Sequence, residues 1–425
     1  MRKWKRIGTL LAALTGSLCA QNIAGDWQGT LKAGRELRLV VQIAKGDDGA
    51  WKAKLYSIDQ GPDAMPASSL TLEGSNVSMK VEAIRGSFEG TISPDGTTIK
   101  GTWTQGAPLP LELQRATKET AWQRDKSPHT VQFMTVDKNV KLDVLDWGGS
   151  GRPVVMLAGL GNTAHVFDDF ATKLTATDHV YGVTRRGFGE SSAPNSGYSA
   201  DRLGDDVLAV IDALKLSKPI LAGHSIAGEE LSSIGSRHPE KVAGLIYLDA
   251  GYPYAFYDRS RGNLMLDSLD VQRKLEQMMP GGGPEDQRST IRELLETNLP
   301  QLEKDLKELQ KTLESLPEAP RTQGPRPGAP SLAIMAGQQK YTEIKVPALA
   351  IYALPHSQPG ANLDAAARAA AEARDTETTG AQAKAFEAGV PNARVVRLPN
   401  ANHYVFRSNE ADVLREMNAF IGGLK

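Results

Sequence analysis

Hydrophobic and polar positions follow two different patterns, one before and one after a polar stretch at residues 117–128. Between Ala24 and Ala116, short apolar runs lie between Gly, Asp and Pro residues, and no clear helical pattern interrupts them. Short runs with such boundaries are typical of antiparallel strands. The pattern predicts an all-β domain over residues 21–116, with its clearest strands at Leu37–Ile43, Trp51–Ile58, Val77–Ile84 and Thr97–Trp103.

Three segments of this front domain place an aromatic residue two positions after a glycine. The aromatic residues are Trp27, Phe88 and Trp103. Glycines of this kind occur where the strands of a small barrel bend, and aromatic rings then fill the interior. We therefore expect a lipocalin-like barrel or sandwich with these rings in its core, and we interpret the polar, charged residues 117–128 as a linker.

From residue 129 onward, buried apolar runs alternate with amphipathic helical patterns. The predicted strands are Val131–Val136, Val140–Trp147, Pro153–Ala158, His179–Thr184, a strand that ends at Ala222, Val242–Leu248, Val346–Ala353 and Arg394–Leu398. Helices are predicted between them, for example over Asp201–Leu214 and Glu410–Ile421. Because this alternation is typical of a mostly parallel sheet with helices on both faces, residues 129–425 are predicted to form an α/β domain.

The alternation stops between Gly251 and Ile344, where helical stretches follow one another. We interpret about residues 252–344 as a helical cap on the α/β domain. One predicted helix places five leucines on a single stripe, which is expected to pack on a neighbouring helix. These leucines are Leu302, Leu306, Leu309, Leu313 and Leu316. The Pro-rich residues 317–330 are expected to form a connector.

The segment Pro219–Gly228, P-I-L-A-G-H-S-I-A-G, joins a buried apolar run to a helix through small residues. It predicts a nucleophile elbow, in which Ser225 lies at the apex of a sharp turn between strand and helix. Strand and helix pass close together at such a turn, so the positions two before and two after the serine need small side chains. Gly223 and Ala227 meet that need, although glycine is the usual residue at the second position.

With this elbow and two further segments, the chain resembles the α/β-hydrolase family from about Pro128 to the C-terminus. Arg186–Ser191 matches the R-G-x-G-x-S turn of the family, and P-N-A-N-H-Y-V-F around His403 matches the loop of its catalytic histidine. The resemblance implies an α/β-hydrolase fold and a serine hydrolase in which Ser225 attacks an acyl carbon and His403 takes its proton. It also implies an oxyanion hole formed by the backbone N–H groups of Leu160 and Ile226.

The acid of the implied triad has two candidates. Most family members carry it after the strand that corresponds to Val346–Ala353, but here the sequence A-L-P-H-S-Q-P contains no carboxylate. The first acid downstream is Asp364, at the predicted start of a helix. Asp249 follows the preceding strand, a position that some members use, and either residue keeps the chain order Ser, Asp, His. We predict Asp249, with Asp364 as the alternative.

Other residues near the predicted site receive secondary roles. Tyr252, Tyr254 and Phe256 follow Asp249 where the cap would cover the nucleophile, so they are expected to line an apolar pocket or to pack the cap on the sheet. His224, beside the nucleophile, is expected to be structural. His356 is the other candidate for the catalytic base.

Two other functions remain open at this point. Gly159, Gly161 and Ala164 satisfy the dinucleotide fingerprint G-x-G-x-x-A after a buried strand, and Arg185 and Arg186 follow the next strand, as in NADP-binding Rossmann proteins. A lone fingerprint is a weak signal, so we favour the hydrolase. A hydrolase fold can also serve as a non-catalytic ligand-binding protein, although the complete Ser, Asp, His order argues against that function.

Composition adds a prediction about the N-terminus. The chain has 425 residues, 40% of them hydrophobic, and a mean hydropathy of −0.34, which is ordinary for a soluble protein. M-R-K-W-K-R precedes the apolar run Ile7–Leu18, so residues 1–20 are predicted to be a signal peptide and the protein to be exported, periplasmic or secreted. The run is too short to span a bilayer, which takes about 20 apolar residues, so no stable membrane anchor is expected after cleavage.

Charge and motif content narrow the expected partners. Removal of residues 1–20 moves the formal net charge from −1 to −5 and takes away the single cysteine, and this mildly acidic balance gives no reason to expect nucleic acid. The sequence has no H-E-x-x-H motif, no cluster of Cys and His, and no Walker loop, so no metal or cofactor is predicted. The expected partner is a small-molecule ester or amide, and no oligomeric state is predicted.

Overall fold

Two β-sheets, each with its own hydrophobic core, organise the chain in the computed structural model. The structure describes residues 22–33, 36–58, 64–122, 127–279, 287–314, 328–356 and 364–424. These residues fall into two compact units, divided between Asp125 and Lys126. The predicted signal peptide, residues 123–126 of the predicted linker and most of the Pro-rich connector lie outside the described residues.

The first unit is a nine-stranded antiparallel sheet with the order β4-β3-β2-β1-β9-β8-β7-β6-β5. Its strands are β1 (Gly25–Lys32), β2 (Glu36–Lys45), β3 (Trp51–Ser57), β4 (Met65–Pro66), β5 (Ser69–Glu73), β6 (Asn76–Val81), β7 (Gly86–Ile92), β8 (Thr98–Gln105) and β9 (Ala107–Arg115). Turn residues interrupt the chain every few positions, so each strand pairs with a neighbour in sequence, except that β1 also pairs with β9.

The aromatic residues of the glycine–aromatic segments lie in the core of this first unit. Trp27, Phe88 and Trp103 are almost fully buried in one cluster with aliphatic side chains of the same sheet. Gly86 makes room for one of these rings, because a Cβ at Gly86 would lie 2.3 Å from the indole of Trp103. These contacts explain why glycine and a ring recur together along the strands.

The prediction of an all-β front domain is confirmed, but its sheet is not closed. The sheet curls around its core as a half-barrel, and its edge strands β4 and β5 are not hydrogen-bonded to each other in the described residues. β4 has only two residues, and Pro66 has no N–H group with which to extend a ladder. The expected small all-β domain is therefore present as one curled sheet, a half-barrel, in the described residues.

The second unit contains an eight-stranded mixed sheet with the order β10-β11-β13-β12-β14-β15-β16-β17. Its strands are β10 (Thr130–Asp137), β11 (Val140–Gly148), β12 (Arg152–Leu157), β13 (Asp178–Val183), β14 (Ile220–His224), β15 (Gly244–Leu248), β16 (Ala348–Leu354) and β17 (Ala393–Pro399). β10 and β11 form an antiparallel hairpin whose second strand pairs with β13, and all the pairs from β13 to β17 are parallel.

Helices cover both faces of this second sheet. They are α1 (Asp168–Leu174), α2 (Ala200–Ala213), α3 (Gly228–Arg237), α4 (Leu264–Met278), α5 (Gln287–Glu293), α6 (Leu299–Glu314), α7 (Ala329–Ala336), α8 (Ala365–Gly389), α9 (Val405–Ser408) and α10 (Glu410–Gly423), with a π-helical turn (Leu294–Asn298) between α5 and α6.

Successive residues of the central strands point into two different cores. In β12, Val155 and Leu157 pack in the cluster that contains α2 and α3, whereas Val154 and Met156 pack in the cluster that contains α1 and α10. A strand that is buried on both faces reads as a continuous apolar run, as the sequence does here. The predicted α/β fold with helices on both faces of a mostly parallel sheet is confirmed.

Helices α4 to α7 lie between β15 and β16, where the sequence predicts a cap. The predicted packing of the leucine stripe of α6 on a neighbouring helix is wrong within the described residues, because Leu306, Leu309 and Leu313 are each at least 40% exposed. α6 buries the side chain of Asp305 instead. Throughout the part of the chain that the structure describes, no helix is both long and apolar enough to cross a membrane.

Replacement of Gly228 by alanine tests the close approach of α3 to the chain after β15. A Cβ at Gly228 would lie 2.1 Å from the backbone oxygen of Ala250. We expect Gly228→Ala to lower the free energy of unfolding by about 1–3 kcal/mol through overpacking. Gly380→Ala in α8, where a Cβ meets nothing within 4 Å, is the control and should stabilise the helix by about 0.5–1 kcal/mol. Urea unfolding followed by circular dichroism measures both, and equal stabilities would contradict the prediction.

Candidate active site

The candidate site lies where four neighbouring parallel strands end. In the sheet order β14-β15-β16-β17, these strands are followed by Ser225, Asp249, His356 and the loop that carries His403. The carboxyl ends of parallel strands open on one edge of a sheet, which is where ligands bind in α/β proteins. The topology therefore brings together side chains that are up to 178 positions apart in the sequence.

Ser225 occupies a sharp turn between β14 and α3. Its φ is 55°, in the left-handed region that is unusual for a residue with a Cβ. Such backbone strain is typical of a nucleophile elbow, which exposes the serine side chain at the top of the sheet. Gly223 lies close to the helix, because a Cβ there would lie 3.0 Å from Leu231 and 3.1 Å from Ala227. Ala227 is therefore accommodated at this turn because residue 223 has no Cβ.

Three of the predicted site residues form a hydrogen-bonded chain. The Oγ of Ser225 lies 2.9 Å from Nε2 of His403, and Nδ1 of His403 lies 2.8 Å from Oδ2 of Asp249. With Nδ1–H donated to the carboxylate, Nε2 is left to accept the serine proton. This arrangement orients the imidazole as a base toward a hydroxyl nucleophile.

Asp249 is fully buried and surrounded by donors. Besides His403, its carboxylate accepts hydrogen bonds from the backbone N–H of Ala353 at 3.0 Å, the hydroxyl of Tyr252 at 2.9 Å and Nδ1 of His356 at 2.7 Å. Burial opposes ionisation, but the hydrogen bonds from His356, His403 and Ala353 together hold the pKa of Asp249 below its usual value. The group is therefore an ionised acceptor inside the fold.

His356 is a second histidine on the same carboxylate oxygen. Its Nδ1 also lies 2.8 Å from the hydroxyl of Tyr252, and that hydroxyl in turn donates to Asp249. Burial lowers the pKa of His356, but the hydrogen bond and negative charge of Asp249 outweigh burial and raise it overall. The sequence shows His356 only as an alternative base. In the structure its Nδ1 faces Asp249, while His403 is the histidine that lies beside Ser225.

His224 supports the loop of His403. Its Nε2 lies 2.9 Å from the backbone oxygen of His403, and its ring is tilted against the ring of His403 at a centroid distance of 4.5 Å. Burial, together with the nearby His403, lowers the pKa of His224 to about 3. His224 is therefore neutral, and its ring N–H donates to the backbone oxygen of His403.

Asp364, the alternative acid, lies at the start of α8. Its side chain accepts a hydrogen bond of 2.8 Å from the backbone N–H of Ala367 and caps the helix. The side chain is exposed, and among the described residues no contact joins it to His403. Of the two candidate acids, the structure places Asp249 against the imidazole.

The loop of the predicted oxyanion hole passes directly over the elbow. A Cβ at Gly159 would lie 3.2 Å from Cβ of Ser225 and 2.8 Å from Nδ1 of His224, so only glycine fits there. Leu160 follows Gly159, and Ile226 follows the nucleophile at the start of a helical turn, whose first N–H groups lack intrahelical partners. Both side chains belong to one apolar cluster beside Ser225.

The three aromatic residues after Asp249 have three different environments. Tyr252 binds Asp249 and His356, as described above. Tyr254 packs in the apolar cluster with Leu160 and Ile226, and its hydroxyl contacts the side chain of Ser225. Phe256 packs on the Phe386 ring of α8 inside the core, with no contact to the triad among the described residues. Tyr254 is thus the aromatic residue that faces the nucleophile.

Arg185 and Arg186, which motivated the dinucleotide alternative, are committed to buried ion pairs. Arg185 donates two hydrogen bonds to Glu230, at 2.6 and 2.7 Å, and Arg186 donates two to Asp206, both at 2.6 Å. Both guanidinium groups are at most 5% exposed. Neither is available to a phosphate, so they tie α2 and α3 to the end of β13 instead.

Comparison with known proteins identifies the class that this fold and site define. The sequence model of the Alpha/beta hydrolase family matches residues 154–416, which is more than half of the chain. The protein belongs to the Alpha/beta hydrolase family.

Individual relatives match shorter stretches. AB hydrolase superfamily protein YisY of Bacillus subtilis (strain 168) is 35% identical over 133 residues, which are 29% of this chain and 49% of that protein. The 2-(acetamidomethylene)succinate hydrolase of Mesorhizobium japonicum is 28% identical over 101 residues, which are 24% of this chain and 36% of that protein. The chain thus spans half or less of the length of these relatives. The structure of an esterase from Exiguobacterium antarcticum has a TM-score of 0.45 at 16% identity and covers 69% of this chain and 100% of its own.

Glu229, four residues after the nucleophile, is a buried acid that sequence reasoning missed. Its side chain is fully buried, and neither carboxylate oxygen has a hydrogen-bond partner among the described residues. Burial raises the pKa of Glu229 well above its ordinary value, Glu230 adds to the rise, and Arg185 opposes it. No sequence signal marks this residue, because acids in the first turn of a helix are common on exposed surfaces.

Replacement of Glu229 by glutamine tests this protonation. An acid whose pKa rises on folding keeps a proton that the unfolded chain loses, so its contribution to the free energy of unfolding falls as the pH rises above about 4.5. Glutamine does not titrate, so Glu229→Gln has no such pH dependence. The free energy of unfolding of the variant minus that of wild type should therefore increase by about 1.4 kcal/mol per pH unit, until the pH reaches the folded-state pKa of Glu229.

Urea unfolding followed by helical circular dichroism, from about pH 5 to about pH 8, measures this difference. Glu377→Gln on the exposed face of α8 is the matched control and should follow wild type at every pH. If Glu229→Gln and wild type have parallel pH dependences, the buried carboxyl is ionised in the fold and the prediction is wrong.

Proposed function

We propose that this protein is a serine hydrolase that cleaves carboxylic esters through an acyl-enzyme intermediate. The observation that carries the proposal is the chain from Ser225 Oγ to His403 Nε2 and from His403 Nδ1 to Asp249 Oδ2, at 2.9 and 2.8 Å. Membership of the Alpha/beta hydrolase family supports it, since relatives of this chain include proteins named as hydrolases.

In this mechanism, Ser225 attacks the acyl carbon while His403 takes the hydroxyl proton at Nε2. Asp249 holds the other ring nitrogen and stabilises the imidazolium that forms. His403 then gives the proton to the leaving alcohol. A water molecule next attacks the acyl carbon while His403 takes its proton, and that proton passes to Ser225 as the acid leaves. Apart from the substrate and this water molecule, the steps use only side chains and backbone groups of the chain, and amides can follow the same route.

The negative oxygen of the tetrahedral intermediate needs donors in a fixed position. We assign this role to the backbone N–H groups of Leu160 and Ile226, because Gly159 brings the first loop against Ser225 and the second residue starts a helical turn. The hydroxyl of Tyr254 interacts with the side chain of Ser225. The apolar cluster of Tyr198, Leu203, Ile226 and Ile334 lies beside the nucleophile, so we assign the acyl group of the substrate to this cluster.

Labelling with a fluorophosphonate, followed by hydrolysis of esters of graded chain length, tests the proposal. We expect Ser225 in the wild-type protein to become covalently labelled and Ser225→Ala to lose both the label and the turnover, because the nucleophilic oxygen is absent. Ser232→Ala, on the same helix but bonded to Tyr247, is the control and should be labelled like wild type. Absence of label on Ser225, under conditions that label a known serine hydrolase, would favour the non-catalytic ligand-binding protein.

The acid is tested by a pair of asparagine variants. Asp249→Asn keeps an acceptor oxygen but presents an amide N–H to the two histidines, so the wrong tautomer of His403 is favoured and kcat should fall by up to about 10⁴-fold. Asp364→Asn should be nearly silent, because asparagine also caps a helix. Steady-state kinetics on one ester measures both variants, and the reverse pair of results would assign the acid to Asp364.

Export stays a proposal from the sequence. We propose that residues 1–20 direct the protein out of the cytoplasm and are then removed, as their basic start and short apolar run indicate.

A further inference from the structure

A second group of two histidines and one aspartate lies outside the triad, in the same α/β unit. His129 precedes β10, His165 lies in the 3₁₀ turn Ala164–Phe167, and Asp168 is the first residue of α1. One donor atom from each of the three residues lies within 4.8 Å of the other two. The fold thus brings together three residues from two distant parts of the chain, all of types that bind transition metals through nitrogen and carboxylate oxygen.

We propose that His129, His165 and Asp168 form a binding site for a divalent transition-metal ion of the Zn²⁺ type. This inference is independent of the proposed hydrolase function, because none of the three residues takes part in the triad.

The spacing of the donor atoms fits such an ion. Nδ1 of His165 lies 3.0 Å from Oδ2 of Asp168, and Nδ1 of His129 lies 4.0 Å from Oδ1 of the same carboxylate. Zinc bonds to nitrogen and oxygen are about 2.0–2.2 Å long, so two ligands of a tetrahedral ion lie roughly 3.3 Å apart. One separation is shorter than this value and the other is longer, and they involve the two different oxygens of Asp168. Small movements of the carboxylate and of the His129 ring would bring both nitrogens and one oxygen to bonding distance. The fourth position is left to water.

The surroundings of the three ligands are also those of a metal site. Their side chains are only 9%, 17% and 13% exposed, in the order His129, His165, Asp168. The indole N–H of Trp147 is shared between Oγ of Ser127, at 2.8 Å, and Oδ1 of Asp168, at 3.2 Å, and so helps to orient the carboxylate. Outer hydrogen bonds of this kind hold metal ligands in place and strengthen binding.

A second, buried carboxylate adds negative potential at this place. Asp143 of β11 is 3% exposed, and its Oδ1 has no hydrogen-bond partner among the described residues. Burial raises the pKa of Asp143, and the nearby His165 and His129 oppose that rise. A buried charge without full compensation is costly, so a cation held by the two imidazoles and Asp168 would offset that cost.

Calorimetric titration of the metal-free full chain with Zn²⁺ tests the site. We expect saturable binding of one ion per chain, and a weakening of roughly 10- to 100-fold or more in His165→Gln and in Asp168→Asn. His179→Gln is the matched control, since His179 pairs with Asp146 outside the group and should bind Zn²⁺ as wild type does. His356→Asn is a second control. It alters the group of Asp249, His356 and His403, and it should also bind Zn²⁺ as wild type does.

Two results would overturn the proposal. One is the absence of saturable binding in the wild-type protein. The other is an equal affinity in wild type, His165→Gln and Asp168→Asn, or a loss of binding in His356→Asn alone.

A second measurement keeps the test open if the site variants fail to fold. The rings of His129 and Trp147 have centroids 6.3 Å apart, so Co²⁺ bound to the group should quench the fluorescence of Trp147 in the wild-type chain. Trp147→Phe should abolish that part of the quenching. Quenching that is unchanged in Trp147→Phe would place the ion elsewhere and contradict the proposed site.

Discussion

The edge of the α/β sheet that carries the candidate site depends on one buried charge, the carboxylate of Asp249. It accepts hydrogen bonds from Tyr252 after β15, from the backbone of Ala353 in β16, from His356 after β16 and from His403 after β17. A buried carboxylate is tolerated only when its oxygens are satisfied, and removal of one partner leaves the charge exposed to the low dielectric of the core. The ends of three strands are therefore held in register by a single side chain.

Two histidines share one oxygen of that carboxylate, and this sharing has a chemical consequence. A triad needs the negative charge of its acid to stabilise the imidazolium that forms at His403. When His356 takes up a proton, its charge offsets that of Asp249, so less of the charge acts on His403. The hydrogen bond and charge of Asp249 outweigh burial and raise the pKa of His356. The loss of activity of such a site at low pH therefore depends on Asp249, His356 and His403 together and belongs to no single histidine.

Local sequence patterns were sufficient for the fold class but not for every packing detail. Runs of apolar residues mark strands buried on both faces, and this signal predicted the sheet from β12 to β17. The closure of the front sheet depends on what its edge strands find to pair with, which no local pattern encodes. The leucine stripe of α6 has the spacing of a packed face, yet Leu306 and Leu313 are half exposed. Periodicity predicts which residues share a face and leaves open what covers that face.

The residues of the site divide in the same way. Ser225 and His403 lie in short segments that resemble motifs of the Alpha/beta hydrolase family, so the sequence was sufficient to identify them as candidates. The contact between His356 and Asp249 joins positions 107 apart, and it exists because β15 and β16 are neighbours in the sheet. Sequence reasoning missed Glu229, because an acid at the start of a helix is usually exposed and only the packing around this one shows that it is buried.

Two groups of histidine and aspartate in one domain differ in how their atoms are joined. At the triad, Nδ1 of His356 and Nδ1 of His403 each lie within 2.8 Å of Oδ2 of Asp249, so a hydrogen bond joins each ring to the carboxylate. At the second group, Nδ1 of His165 lies within hydrogen-bond length of Oδ2 of Asp168, at 3.0 Å. Nδ1 of His129 and Oδ1 of Asp168 are 4.0 Å apart, which is beyond the length of a hydrogen bond and within the span of two metal–ligand bonds. The wider separation at His129 leaves room for an ion between its ring and Asp168, and this room supports the proposed cation site.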